Sequence, residues 1–186
     1  MTEIRIHGRG GQGAVAAAHV LALALFREGK WVQAFPNFGV ERRGAPVAAF
    51  VRFDSQPIEL RCHIYHPDYV IVLDPTLAET KAVTEGLAAG CSVLLNSGLS
   101  PEKLEQFGEF HTATVDASTI ALENKLGAPA NPIVNTAILG AFARFSGLVT
   151  LESVTEAIRE LIKRKQEANV AAVQASFERL CEISKA

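Results

Sequence analysis

Gly8-Arg-Gly-Gly-Gln-Gly13 sets four glycines in six residues, between a short strand expected at Glu3 to His7 and an alanine-rich stretch that reaches Arg27. Gly8, Gly10 and Gly13 fit G-x-G-x-x-G in the strand, turn and helix setting that gives this spacing a mechanism. On that reading Gly8 permits the tight turn, Gly10 lets a phosphate approach the backbone, and Gly13 lets the helix pack closely. The free amides at the helix start then face an anion. The same residues would also serve a purely structural turn. A dinucleotide site wants an acidic residue at the end of the second strand. Trp31-Val-Gln-Ala-Phe35 supplies none, and Glu28 falls before it, which disfavours NAD. No Gly-Lys-Ser/Thr follows, so the turn is not a nucleotide-hydrolase phosphate loop either.

Phe35-Pro-Asn-Phe-Gly-Val-Glu-Arg-Arg-Gly-Ala-Pro46 is too rich in Gly, Pro and aromatics for regular structure, and it carries paired arginines beside Glu41. A loop leaving the second strand at its carboxyl end would lie by the glycine turn, where open α/β sheets bind ligands. Arg9, Arg42 and Arg43 would form a local cation cluster there, with guanidinium forks suited to phosphate or carboxylate. The alternative is a surface pair between Glu41 and one arginine, with no ligand.

The elements that must hold these residues follow from periodicity. Ala14, Ala18, Leu21 and Leu25 share one helical face, and Gly29 ends that helix. Trp31 to Phe35 and Pro46 to Phe53 read as strands, with Asp54 to Pro57 turning into a hairpin partner at Ile58 to Leu60. Tyr69 to Leu73 and Cys91 to Leu95 have the unbroken apolar content of parallel strands buried on both faces. Helices are expected over 77–89, after Ser100-Pro101, and over 117–126, with a strand over 110–115. Further helices are expected over 131–145, 150–165 and 167–183, Thr150 capping the second of these. The expected fold is an open, mainly parallel Rossmann-like α/β sheet with helices on both faces, an antiparallel hairpin excursion and a helical tail over 150–186. One domain over residues 1–186 is the economical division.

Composition narrows the function. Eighteen Lys and Arg against 20 Asp and Glu give a net charge of −2, which argues against a nucleic-acid or membrane-surface partner. Cys62, Cys91 and Cys181 form no C-x-x-C pair, so neither an iron–sulfur array nor a cysteine zinc site is expected in this chain. The first residues lack a secretory pattern, and Ala14 to Phe26 falls short of the ~20 residues of a membrane span. A cytoplasmic setting is expected. His63 and His66 lack a nearby third ligand. Asp74 either holds a loop or faces the cleft, and Asn135 and Thr136 are candidate partner contacts. Lys163 to Lys165 reads as a solvated helix face, and Cys91 as a buried, inert thiol.

The Gly8 to Gly13 turn, Gln33 to Val47, Pro67-Asp-Tyr-Val-Ile-Val-Leu-Asp-Pro75 and Asn135-Thr-Ala-Ile-Leu-Gly140 together resemble the gamma subunit of 2-oxoacid:ferredoxin oxidoreductases, in order and over nearly the whole chain. The Gly-Arg-Gly-Gly-Gln-Gly and Glu-Arg-Arg-Gly-Ala-Pro wording is closer to the pyruvate and branched-chain members than to the 2-oxoglutarate ones. The resemblance implies a part in converting a 2-oxoacid, coenzyme A and oxidised ferredoxin to acyl-CoA, carbon dioxide and reduced ferredoxin, a reaction of anaerobic metabolism. Thiamine diphosphate, magnesium and iron–sulfur clusters would sit on alpha, beta and delta-type partner subunits, with ferredoxin an indirect partner. This chain would help bind coenzyme A and cover the active site. Gly8, Arg9, Gly10, Gly11, Gln12, Gly13, Asn37, Arg42 and Arg43 are the expected contacts, with no catalytic acid or base among them. A stand-alone dinucleotide- or acyl-CoA-binding module is the alternative.

Overall fold

A computed structural model describes residues 1–37 and 44–182. Its first strand, β1 (Thr2–Arg9), has the period of two that makes a sheet with unlike faces: Ile4 and Ile6 point into the main core, Arg5 and His7 to the other side. Helix α1 (Ala14–Arg27) follows the glycine turn and buries Ala14, Ala18, Leu21 and Leu25, the face read from the sequence. Gly29, at φ 79°, ends it. Then come β2 (Trp31–Pro36) and β3 (Pro46–Asp54), a hairpin whose second strand also pairs antiparallel with β1, from Thr2 opposite Phe53 to Arg9 opposite Pro46.

Strands β4 (Tyr69–Val72), β5 (Ser92–Asn96) and β6 (His111–Val115) extend the sheet in parallel from β1. After α3 (Ala117–Glu123) and a small hairpin of β7 (Gly127–Ala128) and β8 (Asn131–Pro132) come three helices, α4 (Ala137–Ser146), α5 (Leu151–Leu161) and α6 (Gln166–Glu178). A short β9 (Cys181–Glu182) pairs antiparallel with β6. The sheet order is β2-β3-β1-β4-β5-β6-β9. Because β1 and β2 both oppose β3, all strands but β3 and β9 run one way. The expected mixed, mainly parallel sheet is the observed one.

Helices lie on both faces but unequally. α1, α3, α4, α5 and α6 share the main apolar cluster with Ile4, Ile6, Ile71, Leu94 and Val115. On the second face Val70, Val72, Val93 and Leu95 meet only short turns through Leu77, Val83 and Phe107. The helix expected over 77–89 is a correction: a 3-10 turn at Pro75–Leu77 and the single turn α2 (Lys81–Thr84) stand there instead. Gly86 and Gly90, at φ 76° and 92°, take backbone that no helix continues through. The helix expected after Ser100-Pro101 is likewise only a 3-10 turn, Pro101–Lys103. Ile58 to Leu60 form no strand either. β3 finds its partners in β1 and β2, and the carbonyls of Ile58 and Leu60 accept from the side chains of Gln33 and Arg52. The carboxyl-terminal helices expected as a tail pack into the main layer, α6 against α4 so closely that a Cβ on Gly140 would collide with the Val173 carbonyl. Thr150 caps α5 by accepting from the Ser153 amide.

Candidate functional site

The carboxyl end of β1 delivers the chain into the glycine turn. Gly11 and Gly13 take the left-handed backbone, at φ 97° and 82°. Gly8 lies inside β1 opposite Val47, where a Cβ would stand 3.2 Å from Leu73. The tight turn is therefore made by Gly11 and Gly13, and Gly8 is small for packing, which corrects the role read for it. Gly10 continues the β1–β3 ladder, its amide donating to Ala45 at 2.8 Å and its carbonyl accepting from Gly44 at 3.0 Å. Both its backbone groups are occupied. Gly13 ends the turn with its α-carbon against Asn135, so that any side chain there would strike the Asn135 amide. The third glycine is expected to let the helix pack closely on the sheet; its close neighbour is instead Asn135, before α4.

Side chains fix the turn from below. Gln12 accepts from the Arg9 amide at 2.7 Å and donates through Nε2 to Asp74 Oδ2 at 2.7 Å. Asp74 caps the turn after β4, accepting from the Thr76 amide at 2.9 Å and hydroxyl at 2.6 Å. Arg9 donates to the Gly44 carbonyl and to Thr76 Oγ1, with Nε 3.3 Å from Asp74 Oδ2. Burial pushes the Asp74 carboxyl upward, yet the donors from Thr76 and Gln12, with the Arg9 charge, hold it below the usual range. The Arg9 cation is neutralised where it stands.

What remains for a ligand is backbone. Among the described residues Gly11 and Gly13 offer amides with no partner, and Ala17 is the first helical residue to donate, to Gly13. The amides of Ala14, Val15 and Ala16 belong to the unpaired first turn of α1, where the helix dipole favours negative charge. Gly11 is exposed and Gly13 half-buried. This arrangement can receive a phosphate or carboxylate through amides.

The expected site residues thus divide. Gly8 to Gly13 gather at the carboxyl edge of the sheet. Arg42 and Arg43 lie outside the described residues, although Gly44 beside them is hydrogen-bonded to Gly10. Asn37 is exposed, its amide donates to Ala48, and it lines a cavity on the second face of the sheet. Asp74 proves to be a hub that holds the loop, and Asn135 packs on Gly13. Thr76 escaped the sequence reading, since only its contacts with Arg9 and Asp74 mark it. Thr136 is buried and donates to Asn169, which ties α4 to α6.

Among the described residues no three His, Cys, Asp or Glu converge, and the Cys91 thiol is pushed up to about 11 by burial. The donors at the turn do suit the anionic groups of coenzyme A.

The sequence over residues 3–179 matches the family model for pyruvate ferredoxin/flavodoxin oxidoreductase. The common subunit gamma of pyruvate/ketoisovalerate oxidoreductases from Thermococcus kodakarensis is 55% identical over 181 residues, covering 95% of this chain and 96% of that protein. The pyruvate synthase subunit PorC of Methanocaldococcus jannaschii is 52% identical over 178 residues, with 95% and 96% covered. The crystal structure of pyruvate oxidoreductase subunit PORC from Thermotoga maritima superposes with a TM-score of 0.81 at 37% identity, covering 96% of both chains. Among the described residues no helix is long and apolar enough to cross a membrane. With the family model matched over residues 3–179 and relatives more than half identical over nearly their whole length, the chain belongs to the pyruvate ferredoxin/flavodoxin oxidoreductase family, as a gamma-type subunit.

Proposed function

We propose that this chain helps bind coenzyme A and covers the active site of a 2-oxoacid:ferredoxin oxidoreductase during oxidative decarboxylation, with pyruvate the first substrate to test. In this reading thiamine diphosphate, magnesium and clusters sit on alpha, beta and delta-type partners, which fits a sequence with three cysteines and no C-x-x-C pair. The observation that carries the reading is the set of amides at Gly11, Gly13 and the first turn of α1 that have no partner among the described residues, beside a side-chain network whose own charges cancel. The pyrophosphate and ribose phosphate of coenzyme A present the anions such amides accept. In this role Gly11 and Gly13 contact the ligand through backbone, and Arg42 or Arg43 through guanidinium forks. Gly8, Gly10, Arg9 and Gln12 hold the turn, and Asn37, which lines the cavity on the second face, is left without a part in this contact. Coverage of the thiamine-bound intermediate would exclude water from it.

The Thermococcus relative is described as common to pyruvate and ketoisovalerate enzymes. A gamma chain of that kind leaves the choice of 2-oxoacid to other subunits. In the reconstituted complex, Arg42→Ala should therefore raise the KM for coenzyme A and leave the ratio of pyruvate to 2-oxoisovalerate activity unchanged. Equal increases in the KM of coenzyme A and oxoacid would assign the arginine a structural part. The stand-alone module would be favoured instead if affinity capture from native extract recovered no thiamine- or cluster-bearing chain.

A further inference from the structure

Two arginines lie on the second face of the sheet, and they are treated differently. Arg52 is fully buried, yet its guanidinium meets Glu3 at 2.7 Å, with Gln33 and the carbonyls of Leu60 and Cys62 accepting its other protons. Arg5 is 6% exposed and pairs with no carboxylate among the described residues. Its Nη2 donates to the carbonyls of Val83 and Glu85 at 3.0 and 2.7 Å, and its Nε has no partner among the described residues. His7, two residues on along the same face and 7% exposed, also has a partnerless Nε2. Among the described residues this buried cation is hydrogen-bonded only to carbonyls, without the paired carboxylate that ordinarily accompanies burial.

Both residues line a cavity of about 760 Å³ between this face of the sheet and the segments 63–66 and 82–86. One wall is aromatic. Phe50 and His63 lie 5.6 Å apart between ring centroids, and Tyr65 stacks on His63 at 6.4 Å and 26°. Tyr65 is 66% exposed, so among the described residues the wall presents an open aromatic surface. The exposed Glu85 carboxylate borders the cavity and makes no ion pair with Arg5. The volume lies in the range of small-molecule sites, roughly 300 to 1,000 Å³.

We propose that this cavity is a second ligand site, which takes a small carboxylate with a flat apolar body: the carboxylate completes the charge of Arg5 beside His7, and the body lies along Phe50, His63 and Tyr65. It stands apart from the coenzyme A reading, since it needs neither the glycine turn nor the paired arginines. The probe is 2-naphthoate, with neutral 2-naphthamide as control, titrated into the full-length chain and followed by the ring resonances of its histidines. Naphthoate should shift His7 and His63 and leave His19 and His111 unmoved, and the amide should bind at least about tenfold more weakly, as loss of a charged hydrogen bond implies. Arg5→Met should weaken naphthoate to a similar extent. Because Arg5 also holds the 83–85 segment, Ala48→Phe, which fills the cavity from β3, provides a variant that leaves the cation in place and should abolish the shifts. Equal binding of acid and amide, or binding that survives Ala48→Phe, would overturn the proposal. Retention of the shifts in the reconstituted complex supports a free-ligand site, and their loss there would overturn it.

Discussion

Gln12 Nε2 donates to Asp74 Oδ2 at 2.7 Å, and this bond joins the glycine turn after β1 to the cap after β4 across 62 residues of sequence. Both carboxyl ends thereby move as one body. Asp74→Ala would remove the acceptor shared by Gln12, Thr76 and Arg9 and leave Gln12 and Arg9 underpaired at a half-buried site. The expected cost is about 1 to 3 kcal/mol of stability, read from the urea midpoint. In the assembled enzyme the KM for coenzyme A should rise more than that for the oxoacid. An Asp74→Ala variant with an unchanged KM for coenzyme A would separate the turn from that ligand.

Gly13 is held by two requirements at once, a φ of 82° and the proximity of Asn135. Gly13→Ala should cost about 1 to 2 kcal/mol for the backbone alone, with a further loss from the collision. Asn135→Ala in the same chain should recover the collision part and not the backbone part. A double-mutant cycle in urea separates them, and strict additivity would show that Asn135 yields without cost.

Much of this frame was legible in the sequence because it is local. The glycine spacing, the face Ala14, Ala18, Leu21 and Leu25, and the alternation of Ile4 and Ile6 with Arg5 and His7 all repeat at short range. What was not legible depends on distant partners. β3 inserts between β2 and β1, and nothing within its own residues says that its second neighbour lies some 40 residues upstream (Ala49 opposite Ile6) rather than at Ile58. The segment 77–89 carries helix-forming residues, but Gly86 sits so close to the Tyr65 carbonyl that only a glycine in the left-handed region fits. That Arg52 would find Glu3 while Arg5 found only carbonyls required the fold.

Glu28 is the carboxylate that a dinucleotide reading would have used for ribose. It instead ends α1 and accepts from both the amide and the hydroxyl of Thr150 at 2.8 Å, tying that helix to the start of α5. Burial pushes its pKa up, and the donors from Thr150 and Ser153 outweigh it, so the folded value lies below the ordinary 4.5. The charge-dependent stabilisation is therefore present above that value and disappears as pH falls through the folded pKa. Glu28→Ala should cost roughly 1 kcal/mol at neutral pH. Glu28→Gln, which keeps an acceptor, should cost less, and its difference from the parent should vanish in acid. A difference constant down to pH values below the folded pKa would mean that the charge contributes nothing.

His7 gives the opposite kind of titration. Burial first, and the neighbouring Arg5 charge second, lower its pKa from 6.5 to about 3 in the folded chain. Between those values the unfolded chain carries a proton on His7 that the folded chain does not, so stability rises with pH across that interval and is lost as pH falls. His63, His66 and Glu85 face the same cavity. His7→Gln, which keeps a polar group that cannot ionise, isolates the part due to His7. Its urea stability should fall less steeply than the parent's between pH 6 and 4, and the two curves should run parallel above pH 7, where His7 is neutral in both states. Parallel curves through the acid range would place a proton on His7 in the folded chain, which the cation beside it opposes.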